Sequence, residues 1–367
     1  MPRKKILIIA NHRKNRSPGQ RFRFEQYLDF LQENGFDYDF SYLISQKDDR
    51  CFYKKGYYGR KLWVLLKSYW IRFSNLRHLK SYDLIFIYRE ALMTGSVFFE
   101  KRFKKKQAKM ILDFDDSIWL MDVSRANARL KFLKNPEKTK TILSLVDMAF
   151  VGNRYLADYA EQYCNNVKII PTTLNTGHYP DLWTSGKMQK TDSKICIGWI
   201  GSTTTIAHLE WALPMLKRLE QIHGDLIYMK VIADVPLISD LKSVNNTKWS
   251  SEREMEEISE IDIGIMPLPD TPWTRGKCGF KGLQYMSFGI PAVLSPVGVN
   301  NDIIQDGVNG FLADSDEEWI EKTGRLIADV GLRKRLGEAG RKTVEEHYSF
   351  NAQKYNYLKF LEELCKI

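Results

Sequence analysis

The sequence is constrained most by short apolar runs that alternate with helical patterns. In the first half these runs are continuously apolar, which suits strands of a parallel sheet that helices cover on both faces. Strands that alternate with helices favour a doubly wound α/β fold. The predicted strands are Lys5–Ala10, Tyr82–Tyr88, Lys109–Phe114, Met148–Gly152 and Val167–Pro171.

The alternation stops at Thr172–Ser193, a stretch rich in Thr, Gly, Pro and Asp that we interpret as an interdomain linker. It then restarts, and a length of 367 residues suits two domains. We therefore predict an α/β protein of two doubly wound Rossmann-like domains that face a cleft, residues 1–175 and 176–349. Further strands are predicted at Lys194–Trp199, Ile227–Ala233, Asp262–Met266 and Pro291–Leu294, and helices at Phe22–Asn34, His208–His223, Glu252–Ile258 and Phe280–Phe288.

Hydropathy and cysteine spacing exclude several classes of protein. No run of eighteen apolar residues is present, and the run Ile6–Ala10 is too short for a signal peptide, so we expect a cytoplasmic protein. The five cysteines are scattered without CxxC pairs, which argues against a disulfide framework and against a zinc site.

Charge is distributed unevenly along the chain. Residues 1–150 hold 31 of the 55 Lys+Arg but only 16 of the 45 Asp+Glu, which leaves 24 against 29 in the remainder. Such asymmetry predicts an anionic partner for the first half, either a membrane surface or nucleic acid.

Three loops follow predicted strands of the second half, where ligands bind in open parallel sheets. In the first loop, Gly201, Ser202, Thr203 and Thr204 offer close backbone approach and hydroxyl donors for a diphosphate, although an ordinary helix N-cap has the same composition.

The second loop contains Lys277 between glycines, and the helix after it places Lys281 and Gln284 on one face. A lysine facing a diphosphate and an amide reaching ribose hydroxyls would suit that face, and two solvated polar residues are the alternative. The third loop, 295–302, is equally compatible with a simple turn.

The order of these segments resembles a known family along nearly the whole chain. The run MPLPDTPWTRGKCGFKGLQYMSFGIPAVLSPVGVNNDIIQDGVNGFLA resembles the nucleotide-sugar domain of family 4 glycosyltransferases, which have the GT-B fold. SPGQRFRFEQYLDFL, ILDFDDSIW and VDMAFVGNRYLADYA resemble segments of its first domain.

The resemblance implies a retaining transfer from a nucleotide-sugar, UDP- or GDP-linked, with no cofactor and no metal. The 201–205 loop, Lys277 and Lys281 would hold the diphosphate, and backbone groups of Cys278, Gly279 and Phe280 would contact the sugar. The family often has two glutamates eight positions apart, where this chain has Gly276 and Gln284. The resemblance also implies that the last helix, about 350–367, packs on the first domain.

The acceptor is expected in the first half. Asp113, Asp115 and Asp116 end a predicted strand, and a carboxylate there would orient or activate an acceptor hydroxyl. Asp115 and Asp116 are our candidates, with a paired-carboxylate metal site as the rival interpretation; for Asp113 we favour a structural pairing with arginine or buried backbone. Gly19, Arg21 and Arg23 belong to the loop after the first strand, which lines the cleft in this fold, and Arg21 is a candidate contact for the donor phosphate or for an anionic acceptor.

Residues 51–82 contain eight Lys+Arg, no acidic residue and nine aromatic residues, in part at helical spacing. That composition is typical of a helix at an anionic membrane surface, although a core helix with a solvated face is the alternative.

We therefore predict a glycosyltransferase of the hexosyltransferase type. It would act in polysaccharide biosynthesis on a lipid-linked or surface polysaccharide acceptor, peripherally at the inner face of the cytoplasmic membrane, as in bacterial cell-surface polysaccharide synthesis. The alternatives are a non-catalytic partner that binds nucleotide-sugar, and a basic nucleic-acid-binding protein; no nucleic-acid motif is present, so nucleic acid is not an expected partner.

Overall fold

The computed structural model describes residues 3–105, 109–120, 133–186, 188 and 194–365. Two predicted segments lie partly outside the described residues. They are the linker, at residues 187 and 189–193, and the last helix, at residues 366–367. The chain divides into two compact units, one formed by Met1–Thr173 with Gln353–Ile367 and the other by Leu174–Ala352.

The first unit is built on a parallel sheet of six strands in the order β2-β1-β3-β4-β5-β6. The strand order reverses between β1 and β3, which is the mark of a doubly wound sheet. The strands are β1 (Lys4–His12), β2 (Phe36–Ile44), β3 (Leu84–Tyr88), β4 (Lys109–Phe114), β5 (Met148–Val151) and β6 (Val167–Ile169).

Helices cover this sheet, and their ends carry recognisable caps. Ser45 and Asp48 form a capping box at the start of α3, and the Asn153 side chain accepts from the Leu156 N–H at the start of α7. The helices are α1 (Pro18–Arg23), α2 (Leu28–Glu33), α3 (Gln46–Phe52), α4 (Tyr58–His78), α5 (Phe98–Lys104), α6 (Lys138–Leu143) and α7 (Arg154–Ala160).

Two details of the first unit differ from the sequence prediction. The predicted helix Phe22–Asn34 is broken into α1, a 3₁₀ turn Glu25–Tyr27 and α2, because Phe24 leaves the helical conformation with φ −138°. Strand β2 was not predicted, because its sequence FDYDFSYLI is not a continuous apolar run. It lies at the edge of the sheet, where polar side chains are tolerated.

The second unit repeats the plan with the strand order β12-β11-β10-β7-β8-β9, again all parallel. Together with the solved structures described below, the two sheets confirm the predicted class, a two-domain α/β Rossmann-like fold. The strands are β7 (Ile195–Ile200), β8 (Ile227–Ala233), β9 (Val244–Lys248), β10 (Ile263–Met266), β11 (Ala292–Leu294) and β12 (Phe311–Leu312).

The predicted helix His208–His223 is two helices, because Pro214 in the first turn of the second one favours a new start there. Strand β9 was missed because its sequence VNNTK is polar and at the sheet edge. The helices are α8 (Ile206–Trp211), α9 (Leu213–His223), α10 (Glu254–Ile258), α11 (Pro272–Arg275), α12 (Phe280–Ser287), α13 (Asn300–Ile303), α14 (Asp316–Ala328), α15 (Val330–Thr343) and α16 (Phe350–Cys365).

From Gln353 onward α16 belongs to the first unit. Tyr357 stacks on Tyr27, with ring centroids 4.4 Å apart and planes 11° apart, and its ring also meets Phe150 edge-on. The Tyr27 hydroxyl in turn lies 2.7 Å from the Thr173 hydroxyl. Aromatic packing therefore ties the end of the chain to the first sheet.

A buried ion pair joins α1 to β4 in the first unit. The guanidinium of Arg23 donates to the carboxylate of Asp113, with Nε 3.2 Å from Oδ1, and its Nη1 donates to the Ile170 carbonyl. Both side chains are 1% exposed. Burial raises the pKa of Asp113, while Arg23 opposes that rise. Asp113 thus has the structural partner that was favoured for it.

Asp113→Asn should lower the free energy of unfolding by about 3–5 kcal/mol, because it leaves the Arg23 charge buried without a counter-ion. Chemical denaturation followed by circular dichroism measures this. Arg154→Ala is the control: Arg154 pairs with Asp158 on the surface, and its removal should cost at most about 1 kcal/mol. Equal effects of the two substitutions would contradict the structural role of the buried pair.

Candidate functional site

In the second sheet the strand order reverses between β7 and β10. Ligands of doubly wound proteins bind at such a reversal, beyond the carboxyl ends of the strands. The loop 201–205 follows β7 directly, and the segment 267–279 follows β10 and leads into α12. The topology therefore brings together the first two loops predicted from the sequence.

The 201–205 loop is held largely by its own hydrogen bonds. The Ser202 N–H donates to the Thr205 hydroxyl at 2.9 Å, and the Ser202 and Thr204 hydroxyls are 3.0 Å apart. Thr203 donates from its N–H and its hydroxyl to the Asp234 carboxylate. Thr203 is therefore already engaged by an acidic group, whereas the Ser202 and Thr204 hydroxyls are bonded to each other.

Gly201 has no room for a side chain. A Cβ at this position would lie 2.1 Å from the indole of Trp199 and 2.7 Å from the Thr205 hydroxyl. Gly201 was predicted to allow close approach of a ligand. The structure shows that the packing of Trp199 and Thr205 already requires a glycine at this position.

Three basic side chains converge beside this loop. The ammonium of Lys281 lies 5.3 Å from the ring centroid of Trp199, at the end of β7, and that of Lys277 lies 4.9 Å from the ring of Trp273. The pKa of His208, on α8, is lowered to about 4 by burial and then by the charges of Lys281 and Lys277. Positive charges that lower the pKa of a nearby histidine also make the local electrostatic potential positive. A positive potential attracts anions.

Sequence reasoning missed His208. The signal was present in its position three residues after Thr205, in the first turn of the helix that follows the glycine-containing loop. A histidine there is common for other reasons, and only the fold brings it close to two lysines from a segment about 70 residues further along the chain.

Gly279 precedes α12 in the left-handed conformation, with φ +64°. A side chain at this position would meet Ile303 at 2.3 Å and the Asn300 amide oxygen at 3.2 Å. Cys278 and Phe280, on either side, are half-buried. Replacing Gly279 by valine would strain the backbone and displace Ile303. A Gly279→Val variant would therefore lose activity for a structural reason, whether or not residue 279 contacts the sugar.

Gln284 lies one turn after Lys281 on α12 and is buried, with 2% of its surface exposed. Its amide nitrogen donates to Glu254 Oε1 at 2.8 Å. Lys281 is half-buried. The alternative interpretation, in which Lys281 and Gln284 are both solvated polar residues, is therefore wrong for Gln284.

In the first unit, the structure brings together Gly19, Asp115 and Asp116 around Tyr88 and Arg89. The Tyr88 hydroxyl donates to Asp115 Oδ1 at 2.9 Å, and Arg89 donates from Nε to the same oxygen at 3.0 Å. Nη2 of Arg89 also bonds Asp116 Oδ2 at 2.6 Å. Gly19 and Arg21, expected in a loop, lie on α1; a Cβ on Gly19 would lie 2.2 Å from the Tyr88 hydroxyl, so the start of α1 packs directly on the cluster.

The backbone of Arg89 is strained, with φ +64° in a residue other than glycine. Such conformations cluster at functional sites. The neighbouring carboxylates raise the pKa of Arg89 well above its usual value, although burial opposes the rise. Asp115 therefore faces a fixed cation and a hydroxyl donor, an arrangement that suits orientation of a substrate group.

His12, at the end of β1, is a second histidine that sequence reasoning missed. The pKa of His12 is lowered to about 4, first by burial and then by the charges of three arginines, Arg16, Arg89 and Arg13. The charge of Asp49 opposes this shift. The Nε2 of His12 is 3.0 Å from the Tyr53 hydroxyl. The guanidinium of Arg21 lies 5.0 Å from the ring centroid of Phe22.

Among the described residues, no three His, Cys, Asp or Glu side chains are grouped as a metal site would require. In the same part of the chain, no helix has the length and apolar character needed to cross a membrane.

Part of the second unit matches a known family of proteins. Residues 196–329 match the family model described as Glycosyl transferases group 1. A comparison with curated proteins gave no significant match.

Solved structures share the fold over the length of the chain. Sucrose-phosphate synthase from Thermosynechococcus elongatus is 15% identical, with a TM-score of 0.71 and 99% of each chain covered. A glycosyltransferase from Rickettsia africae is 12% identical, with a TM-score of 0.69 and the same coverage. Anabaena HepE, solved with UDP and glucose, is 11% identical, with a TM-score of 0.61, over 98% of this chain and 100% of its own. The matched domain and these GT-B relatives support a transferase of the glycosyltransferase class.

We predict that His208→Gln reduces the sensitivity of the protein to acid. A histidine whose pKa is lowered on folding takes up a proton more readily when unfolded, so its contribution to stability is present above pH 6.5 and is lost as the pH falls toward 4. Relative to the variant, the wild type should lose about 1 kcal/mol across that window, less than the full shift because His208 is partly solvated. Melting curves between pH 7 and pH 4 test this, and parallel curves for the two proteins would contradict it.

Proposed function

We propose that the protein transfers a sugar from a nucleotide-sugar, UDP- or GDP-linked, and that the second unit binds the donor. The observation that carries the proposal is the convergence of Lys277, Lys281 and His208 at the strand-order reversal of the second sheet. Anabaena HepE and the pneumococcal transferase GtfA, two proteins of similar fold, were solved with UDP.

In this proposal Lys277 and Lys281 neutralise the charge that develops on the leaving diphosphate. Ser202 and Thr204 supply hydroxyl donors, and backbone groups at 278–280 face the sugar. Fixed cations in a partly desolvated site stabilise such charge without reorganising during the reaction, so no metal is required in this mechanism. Retention of configuration at the transferred sugar follows from the family resemblance alone.

Asp115 and Asp116 would orient the acceptor hydroxyl. Because Arg89 already pairs with both carboxylates, we assign them to positioning and electrostatic support. Gly19 would keep the start of α1 close to this cluster.

The first test is a thermal-shift screen against UDP-, GDP-, ADP- and dTDP-sugars, since a ligand that binds only the folded protein raises its melting temperature. One nucleotide should give a clear shift. Lys281→Ala should weaken its binding by roughly tenfold or more, because a charge-assisted contact is lost.

Lys334→Ala is the matched control, because this lysine lies on the exposed surface of α15. It should bind the nucleotide as the wild type does. A wild type that responds to no nucleotide, or a Lys281→Ala variant that responds as strongly as the control, would contradict the proposed donor site.

We propose further that the acceptor is lipid-linked and that α4 holds the first unit on an anionic membrane, at the inner face of the cytoplasmic membrane. The evidence is a row of large apolar side chains that point outward from this helix. Trp70 is 75% exposed, and Leu62, Trp63, Leu66 and Phe73 are 44–57% exposed.

The inward face of α4 is equally unusual. Lys61 and Arg72, two of the eight basic residues of segment 51–82, are buried; Lys61 donates to the Lys54 carbonyl and Arg72 to the carbonyls of Ala10 and Ala91. Tyr69 turns inward against Phe99. Polar groups thus face the protein while apolar groups face outward, which argues against an ordinary solvated helix face.

The same segment carries exposed cations, of which Arg60 is paired with Asp48, and each of the others is worth about 1 kcal/mol near an anionic surface. This charge favours a phospholipid surface over an uncharged partner. The exposed cations of this segment are Lys54, Lys55, Arg60, Arg77 and Lys80.

The double variant Leu66→Ser with Trp70→Ser should bind vesicles of phosphatidylglycerol and phosphatidylcholine about tenfold or more weakly. The reason is that the two serines transfer much less apolar surface from water into the membrane than leucine and tryptophan do. Sedimentation with vesicles measures this. Ile238→Ser, at an 85% exposed apolar residue of the second unit, is the control and should bind normally. Equal binding of all three proteins, or self-association through α4 without vesicles, would contradict the membrane assignment.

A further inference from the structure

Four aromatic side chains of the first unit contact one another in sequence, and we call them the aromatic row. Tyr155, Tyr159 and Tyr163 follow at intervals of four residues, along α7 and the turn after it. The ring of Trp119, from the loop after β4, stacks on Tyr159, with centroids 3.9 Å apart and planes 7° apart, and lies 5.9 Å from Tyr155. Tyr163 meets Tyr159 edge-on, with centroids 5.4 Å apart.

The polar groups of the aromatic row are not explained by packing. Trp119, Tyr155 and Tyr159 pack against the buried core and are half-buried, and Tyr163 is 37% exposed. Phenylalanine would fill the same space, yet three of these residues carry a hydroxyl and the fourth an indole N–H. In the part of the chain that the structure describes, none of these four groups has a hydrogen-bond partner. They are therefore available to a ligand that covers the rings.

The aromatic row lies next to the carboxylate cluster of Asp115. Trp119 follows Asp115 by four residues in the same loop, and its ring meets Phe114 edge-on. A Cβ on Gly152, directly after β5, would lie 3.6 Å from the Asp115 Cα. The segment that leads into α7 thus packs on the backbone that carries this carboxylate. A ligand held at Asp115 has the aromatic row as an adjoining surface.

The charges that flank the aromatic row do not favour an anionic ligand. Arg154, at the start of α7, pairs with Asp158 and Glu161. Lys140, on α6 near the row, pairs with Glu137. These five side chains carry two positive and three negative charges, and both cations are neutralised. A phosphate group or an anionic membrane gains no attraction from them, so the chemistry of the row suits an uncharged ligand.

A sugar chain has the complementary chemistry. The C–H bonds of a pyranose form apolar faces that pack on aromatic rings, and its hydroxyls project from the ring edge, where they exchange hydrogen bonds with hydroxyl and N–H groups. Because the row holds several rings in succession, it suits several sugar units better than one.

We propose that the aromatic row binds the glycan part of the acceptor, an uncharged oligosaccharide whose terminal unit presents its hydroxyl at Asp115 and Asp116. This inference rests on the proposed function and names the acceptor class. It also places the reaction in a sequence: the enzyme extends an existing glycan, so an earlier glycosyl transfer must supply its acceptor.

The test is saturation-transfer NMR and titration of the wild type, without nucleotide, against four pentasaccharides and their monosaccharides. The probes are maltopentaose, cellopentaose, chitopentaose and mannopentaose. At least one pentasaccharide should bind about tenfold or more tightly than its monosaccharide, because it covers more than one ring of the row. Its ring C–H protons should receive the strongest saturation, because these protons face the aromatic side chains.

Three variants test the row itself. Tyr163→Ala should weaken the best pentasaccharide by about fivefold or more, because a contacting ring is lost. Tyr159→Phe keeps the stacking on Trp119 and should weaken binding by about threefold, because only a hydrogen bond is lost. Tyr42→Ala is the matched control: Tyr42 is 40% exposed and lies on β2, at the opposite edge of the sheet from β6. It should bind as the wild type does, and melting temperatures show whether each variant is folded.

The outcomes separate this inference from the proposed donor site. A wild type that binds a nucleotide but none of these saccharides overturns the role of the aromatic row while the donor site stands. Equal saccharide affinities of Tyr163→Ala and Tyr42→Ala do the same. A Tyr163→Ala variant that loses binding to anionic vesicles and keeps its saccharide affinity marks the row as a membrane contact and overturns the inference. Saccharide binding by a wild type that binds no nucleotide contradicts the donor site alone.

Discussion

In a parallel sheet the carboxyl ends of all strands lie along one edge, so each loop after a strand competes for the same space. In the second sheet, the reversal of strand order between β7 and β10 opens that space at one point. Loops distant in sequence then become neighbours, which is how His208 comes under the influence of Lys277 and Lys281. The candidate donor site is a consequence of this topology, and packing constraints such as the close contact of Gly201 with Trp199 hold its loops in place.

In the first unit, loops that follow neighbouring strands also meet at one edge of the sheet, but the side chains brought together there include carboxylates. Its strands β3 and β4 end beside each other, and this places Tyr88 and Arg89 next to Asp115 and Asp116. Each carboxylate is matched by a donor. The strained backbone of Arg89 is maintained by these contacts, which suggests an arrangement fixed before any acceptor binds.

Much of the fold was predictable, because continuously apolar strands such as those at Tyr82–Tyr88 and Ile227–Ala233 are buried on both faces. The edge strands β2 and β9 were not, since an edge tolerates polar residues and so loses the apolar signal. At the candidate sites, residue types and loop positions could be read from the sequence. Their partners could not: the bonds from Thr203 to Asp234 and from Gln284 to Glu254 join residues about 30 positions apart.

Net charge is a poor guide to where an anion binds in this protein. Residues after 150 carry 24 Lys+Arg against 29 Asp+Glu, yet basic side chains oppose the charging of His208 in that acidic half, just as others oppose the charging of His12 in the basic half. The basic half neutralises part of its surplus in pairs, as Asp48 does with Arg60 and Lys67. At short range the field depends on where individual charges are held and how far they are desolvated, so the net charge of half the chain does not locate an anion site.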